Sequence, residues 1–65
     1  MQKRSIRIAG HSTSISLEPE FWAEIKRAAD EEKISLNALV ARVDKTRSGN
    51  LSSALRIFVL RRLRA

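Results

Sequence analysis

The chain has 65 residues, which is enough for one small domain and too few for a second domain joined by a linker. It contains no cysteine, which excludes a disulfide framework and a thiolate zinc site, and its 43% hydrophobic residues exclude a disordered chain. The net charge of +6 predicts a polyanionic partner, either nucleic acid or an acidic membrane surface. Because a chain of this length buries only about 60% of its unfolded surface, we expect a homodimer.

Two stretches at the start of the chain alternate between apolar and polar residues, as a β-strand does. They span residues 4–8 and 12–17, and their apolar positions change from even to odd numbers between them. Residues 9–11 are therefore predicted to be a bulge, a turn or a break. We take 11–17 as the one short strand of the chain and 1–10 as a basic N-terminal arm. Since no partner strand follows, we expect the same strand of a second chain to pair with it.

Three helices are predicted after the strand from apolar residues at helical spacing. The first spans 19–33, the second spans 35–48 with Ser35 as its N-cap, and the third spans 50–64 with Asn50 as its N-cap. Their apolar stripes join the inward side of the strand in a predicted dimer core. Its residues are Ile15, Leu17, Trp22, Ile25, Leu39, Val40, Val43, Leu55 and Phe58.

The residue types argue against an enzyme. The one histidine, His11, has no second ligand or base at a usable spacing, and the chain has no cysteine or tyrosine. The carboxylates of Glu20 and Glu24 are one helical turn apart, but next to Lys26 and Arg27 they are typical of a solvated helix face. Gly-rich phosphate loops are absent from the sequence. We expect no catalytic residue, no metal and no cofactor.

A membrane partner is not expected either. The longest apolar run, residues 57–60, is far shorter than the ~20 residues of a spanning helix, and the first residues lack the apolar core of a secretion signal. The arginines of the third helix cluster at its end instead of forming a continuous polar face, which argues against binding to a membrane surface. A cytoplasmic location is expected.

Two copies of the strand, paired antiparallel about a twofold axis, make a ribbon with Ile15 and Leu17 packed on the helices. A two-stranded ribbon fits the major groove of DNA, where hydroxyl groups reach base edges. The start of the second helix, at Ser35, Leu36 and Asn37, offers free N–H groups to a DNA phosphate. The residues on the groove-facing side of the ribbon are Ser12, Ser14 and Ser16.

Residues 14–18, 21–22 and 34–40 resemble the ribbon-helix-helix domain of MetJ/Arc-type repressors. With residues 8–11 and 49–56 the chain is similar, over nearly its full length, to small uncharacterised bacterial proteins carrying this domain. The resemblance implies a mainly α, intertwined homodimer with an intermolecular two-stranded antiparallel ribbon, to which this chain adds a C-terminal third helix. It implies a transcriptional regulator, as many members are repressors or antitoxins, with double-stranded DNA as its partner.

The resemblance also implies roles for individual residues. The ribbon serines face the bases, and Ser35 and Asn37 meet the phosphate. Ribbons of the family often carry Lys, Arg, Gln or Asn, so three serines give a shorter reach and less discrimination between bases.

Two alternatives for the N-terminal residues stay open. In one, the outward face of the ribbon is formed by Lys3, Ser5 and Arg7, with arginine able to contact guanine. In the other, the serine face is kept and the arm neutralises phosphates. The cations of the arm are Lys3, Arg4 and Arg7.

The third helix has two interpretations as well. Its apolar face at Leu51, Leu55 and Phe58 either completes the dimer core or docks a protein partner, as in an antitoxin-like adaptor dimer. Its last turn carries arginines that suit the negative end of the helix dipole, so they either end the helix or contact an anion. These arginines are Arg61, Arg62 and Arg64.

Overall fold

The computed structural model describes residues 1–46 and 49–65. Its elements in chain order are β1 (Gln2–Ile8), β2 (His11–Leu17), α1 (Pro19–Glu32), α2 (Leu36–Thr46) and α3 (Leu51–Arg64). The predicted mainly helical class with a two-stranded antiparallel ribbon is confirmed. The predicted continuation of the second helix over residues 47 and 48 lies outside the described residues. Within the described ranges no helix is long and apolar enough to cross a bilayer.

The two strands form a hairpin within one chain, with Ile8 opposite His11 at its closed end. Ala9 and Gly10 connect them with φ values of 51° and 81°, and positive φ at both positions is what a two-residue type I′ turn requires. This corrects two predictions, the single strand per chain and the basic arm over 1–10. The backbone groups of β2 that face β1 find their partners in the strand just before it, so a second chain is not needed to satisfy those groups.

The hairpin register explains why the apolar positions change parity. Every cross-strand pair joins an even-numbered residue of one strand with an odd-numbered residue of the other. Because directly opposite residues share a face, Ile6 of β1 and Ile15 of β2 both point inward, and both are only 4% exposed.

The helices begin at the signals that the sequence predicts. Pro19 is the first residue of α1, where a missing N–H costs nothing. The Ser35 hydroxyl accepts a hydrogen bond from the Ala38 N–H at 3.0 Å, and the Asn50 side chain accepts one from the Ser53 N–H at 3.1 Å. Local capping therefore fixes where each helix starts.

The core lies between the inward face of the hairpin and the three helices, and it closes within one chain. The solvent-accessible surface is 4530 Å², close to the about 4,200 Å² typical of a folded monomer of this mass. Every residue predicted for a dimer core belongs to this core, Phe58 as a half-buried member. The buried residues are Ile6, Ile15, Leu17, Trp22, Ile25, Ala28, Ala29, Leu39, Val40, Val43, Leu55 and Val59.

Candidate nucleic-acid interface

The hairpin turns six polar side chains away from the core, and we call this surface the outward face. It joins the two sets of residues that the sequence offered as alternatives, because the register aligns them. Five of the six are exposed and the sixth, Ser16, is half-buried. The outward face consists of Lys3, Ser5 and Arg7 on β1 and Ser12, Ser14 and Ser16 on β2.

The cations of the outward face are all on β1, and three of its four serines are on β2. The two cations are on β1, where Lys3 lies opposite Ser16 and Arg7 lies opposite Ser12. Residues 1–17 contain no Asp or Glu, and no ion pair to Lys3 or Arg7 is found in the described part of the chain. The outward face is therefore a positive strip beside a neutral row of hydroxyl groups.

Arg4 lies on the other side of the hairpin. It is opposite Ile15 on the inward face, and its guanidinium carbon is 5.5 Å from the centre of the Trp22 ring, in cation–π geometry. The Trp22 indole N–H donates to the Gln2 carbonyl at 2.8 Å. Strand alternation separates Arg4 from Lys3 and Arg7, so the outward face excludes this third predicted phosphate-binding cation.

Asn37, in the first turn of α2, binds the free edge of β1 at Arg7. Its Oδ1 accepts a hydrogen bond from the Arg7 N–H at 2.8 Å, and its Nδ2 donates to the Arg7 carbonyl. In a hairpin with a two-residue turn, these two Arg7 groups point away from the partner strand. The Asn37 side chain thus takes the place of a neighbouring strand. The sequence predicted a phosphate contact through the main-chain N–H at this helix start, and the structure adds a bond of the Asn37 side chain to Arg7.

Replacing Asn37 with alanine is expected to lower the free energy of unfolding by about 1–2 kcal/mol, because two hydrogen bonds are lost and Arg7 returns to water at the edge. Urea denaturation measures this loss. Hydrogen exchange identifies its origin, since the Arg7 amide should exchange faster while the Thr13 amide, inside the hairpin ladder, is affected only by the global change. Equal acceleration at both amides would contradict the local role of Asn37.

The start of α2 lies beside the Arg7 end of the outward face, because Asn37 joins the two. Ser35 caps the helix through its hydroxyl group. Among the described residues, no hydrogen bond to the N–H groups of Leu36 and Asn37 is recorded. The predicted phosphate-binding donors thus remain available next to a strand that carries a cation.

Ion pairs fasten α3 to α1 at both ends. Arg56 contacts the Glu18 carboxylate at 3.1 Å, and Arg62 contacts Glu31 at 2.8 Å. A backbone hydrogen bond and then the bond from Arg56 lower the pKa of Glu18, and the hydrogen bond to Glu31 raises the pKa of Arg62. The sequence predicted that Arg62 either ends the helix or contacts an anion. In the structure its guanidinium group binds the carboxylate of Glu31 in the same chain.

The apolar face predicted to dock a partner is part of the core. Leu55 is fully buried, and Leu51 and Phe58 are half-buried against the same cluster. The buried Leu55 is therefore not available to a partner, whereas a protein partner on another part of α3 stays a prediction. The other interpretation, in which this face completes the core, agrees with the structure. The core it completes belongs to one chain and not to a dimer.

A family model described as "Ribbon-helix-helix domain" matches residues 1–63 of the chain. The match covers both strands, α1, α2 and all but the last residue of α3. No curated protein matches the chain, and no solved structure matches it.

Proposed function

The chain belongs to the ribbon-helix-helix family, and from this membership and its hairpin we propose that it is a dimeric transcriptional regulator that binds DNA. Domains of the family are typically non-enzymatic, and the family generally dimerises and binds DNA. The observation that carries the proposal is the outward face, where cations and hydroxyl groups stand side by side on a hairpin without acids. Cations suit phosphates and hydroxyl groups suit base edges.

The proposed dimer forms through the open edge of β2. Asn37 occupies the edge of β1 at Arg7, whereas no hydrogen bond from another described element reaches the main chain of Ser12, Ser14 or Ser16 along β2. Unpaired N–H and C=O groups along an edge are a template for another strand, and serine side chains are too small to hinder it. Antiparallel pairing with β2 of a second copy gives a four-stranded sheet with the two β2 strands at its centre.

The width of this sheet decides which strands enter the groove. Four strands at the usual spacing span about 14 Å between the outer axes, whereas the major groove is about 12 Å wide. Only the central β2 pair enters, and each β1 strand lies over a groove wall. The serines then face the bases, and Lys3 and Arg7 face the phosphates of both DNA strands.

The start of α2 supplies further phosphate contacts in this arrangement. Its free N–H groups, at the helix start next to Ser35 and Asn37, lie beside Arg7. When β1 lies over a groove wall, these N–H groups are brought to the phosphates of the same DNA backbone. Binding to an operator in this way would repress transcription from the adjacent promoter. A cytoplasmic location is part of the same proposal, because the DNA is there.

The test is selection of bound sites from random DNA, followed by affinity measurements at several salt concentrations. Lys3 and Arg7 of two chains make four phosphate contacts, so the log–log slope of affinity against salt is expected to be about −3.6 or steeper. Lys3→Ala removes two contacts and makes the slope less steep by about 1.8. The control Lys26→Ala changes an exposed cation of α1 and should leave the slope unchanged. Failure to enrich any sequence, or a slope near zero, would overturn the proposal.

A further inference from the structure

One side of α3 leaves three aliphatic side chains in solvent. Ile57, Leu60 and Leu63 are 45%, 51% and 61% exposed, and their spacing of three residues places them in one stripe along the helix. In the described part of the chain, the one other exposed large hydrophobic residue is Met1. The fold itself does not use this apolar stripe.

A groove of about 450 Å³ borders the apolar stripe, between the end of α2 and α3. Apolar side chains line it from α2 (Val43) and from α3 (Ala54 and Phe58), together with the polar side chains of Thr46, Asn50 and Ser53. Ile57 belongs both to the groove and to the stripe. Arg61 and Arg62 are also among its lining residues. The stripe and the groove meet at Ile57, so that an apolar stripe and a partly polar groove lie side by side with basic residues next to them.

The positive charge of this surface is only partly neutralised by the described residues. α3 contains four arginines and no acid. Arg56 and Arg62 are paired with glutamates of α1, whereas Arg61 and Arg64 are exposed and form no ion pair with any described residue. Two free guanidinium groups therefore flank an exposed apolar stripe.

We propose that the stripe and its groove bind an acidic amphipathic helix of another protein. Such a helix lays apolar residues at positions i, i+3 and i+4 into a groove, and its flanking carboxylates meet the guanidinium groups of Arg61 and Arg64. The inference goes beyond DNA binding and is independent of it, since this surface and the outward face share no residue.

A second copy of this chain fits the surface poorly. Two α3 helices packed on each other would bring arginines against arginines with no acid between them, and like charges at an interface oppose association. A lipid surface also fits poorly. A bilayer would cover the three stripe residues but leave the groove beside them unfilled, and α3 has its other apolar side committed to the core.

The test uses two synthetic helical peptides of equal length with leucines at i, i+3, i+4 and i+7. The remaining positions carry glutamate in one peptide and lysine in the other. Amide chemical shifts of the labelled protein report where each binds. The glutamate peptide is expected to shift resonances of the stripe and groove, and the lysine peptide is expected to shift none. Leu60→Ala and Arg61→Ala should each weaken the glutamate peptide about fivefold or more, since both remove an anchor. Lys26→Ala, which removes a cation from α1, should not weaken it.

Four outcomes of this experiment would overturn the proposal. They are no shift with the glutamate peptide, equal binding of the lysine peptide, shifts confined to the hairpin, and shifts of stripe residues that depend on protein concentration alone, which would indicate a second copy. Vesicles of phosphatidylglycerol provide the remaining comparison. Sedimentation with these vesicles, lost in Leu60→Ala, together with no peptide binding would identify a membrane surface instead.

Discussion

Replacing Leu55 with alanine is expected to lower the free energy of unfolding by about 2–5 kcal/mol, whereas the same substitution at Leu60 should change it by less than about 0.5 kcal/mol. The two leucines lie on the same helix and differ in environment, since Leu55 is 0% exposed and Leu60 is 51% exposed. Removing the buried side chain forfeits its transfer energy and leaves a cavity. A chain of this length is stable by about 3–10 kcal/mol in total, so Leu55→Ala should remove a large fraction of this stability.

Urea denaturation followed by circular dichroism measures both variants, and repeating it at several protein concentrations adds a second result. Because the core closes within one chain, the monomer should stay folded at low protein concentration, and the proposed dimerisation through β2 should raise the midpoint as the concentration increases. A small loss at Leu55 would mean that α3 does not pack on the core as the structure shows. A large, concentration-dependent loss at Leu60 would mean that the apolar stripe is covered by a second copy.

The features of the fold that short sequence segments determine were predictable. Ser35 and Asn50 are capping residues with the helical pattern directly after them, and each makes the predicted side-chain bond. The inward residues of the helices follow from periodicity alone, because a stripe of apolar side chains has to face the core. Trp22 and Leu55 were identified in this way, and both are buried.

The hairpin was missed although its signal was present. The change of parity between Ile6 and Ile15 indicates a two-residue turn, since such a turn always pairs even positions with odd ones. If the change of parity is interpreted as a break in the strand, β2 has no partner within the chain, and a second chain is needed to pair with it. The turn was hard to recognise because Ala9 holds a position where positive φ favours glycine or asparagine. With the hairpin unrecognised, the two rows of the outward face remained alternatives.

The contact between Asn37 and Arg7 could not be predicted for a different reason. The two residues are 30 positions apart, and their bond depends on how α2 packs beside β1. An asparagine after a helix cap is equally compatible with a free amide that meets a phosphate. Only the position of the strand edge decides between these roles.

Replacing the three serines Ser12, Ser14 and Ser16 with alanine is expected to relax sequence preference, and replacing Arg7 with alanine is expected to weaken binding to every DNA sequence alike. In the proposed four-stranded sheet the serine hydroxyl groups face base edges, where one base pair read correctly is worth about 1–3 kcal/mol. The serine variant should therefore lower the ratio of affinities for selected and altered sites at least about tenfold. Its salt dependence should stay as it is, because no charge is removed.

Arg7→Ala should show the opposite pattern, with an unchanged affinity ratio and a log–log salt slope less steep by about 1.8, since each dimer loses two phosphate contacts. Both variants are measured on the same selected site and on one altered at its central base pairs. If Arg7→Ala instead abolishes preference for one guanine, the arginine enters the groove and β1 reads bases. In that case the two-stranded hairpin of a single chain fits the groove alone, and the central β2 pair is not what contacts the DNA.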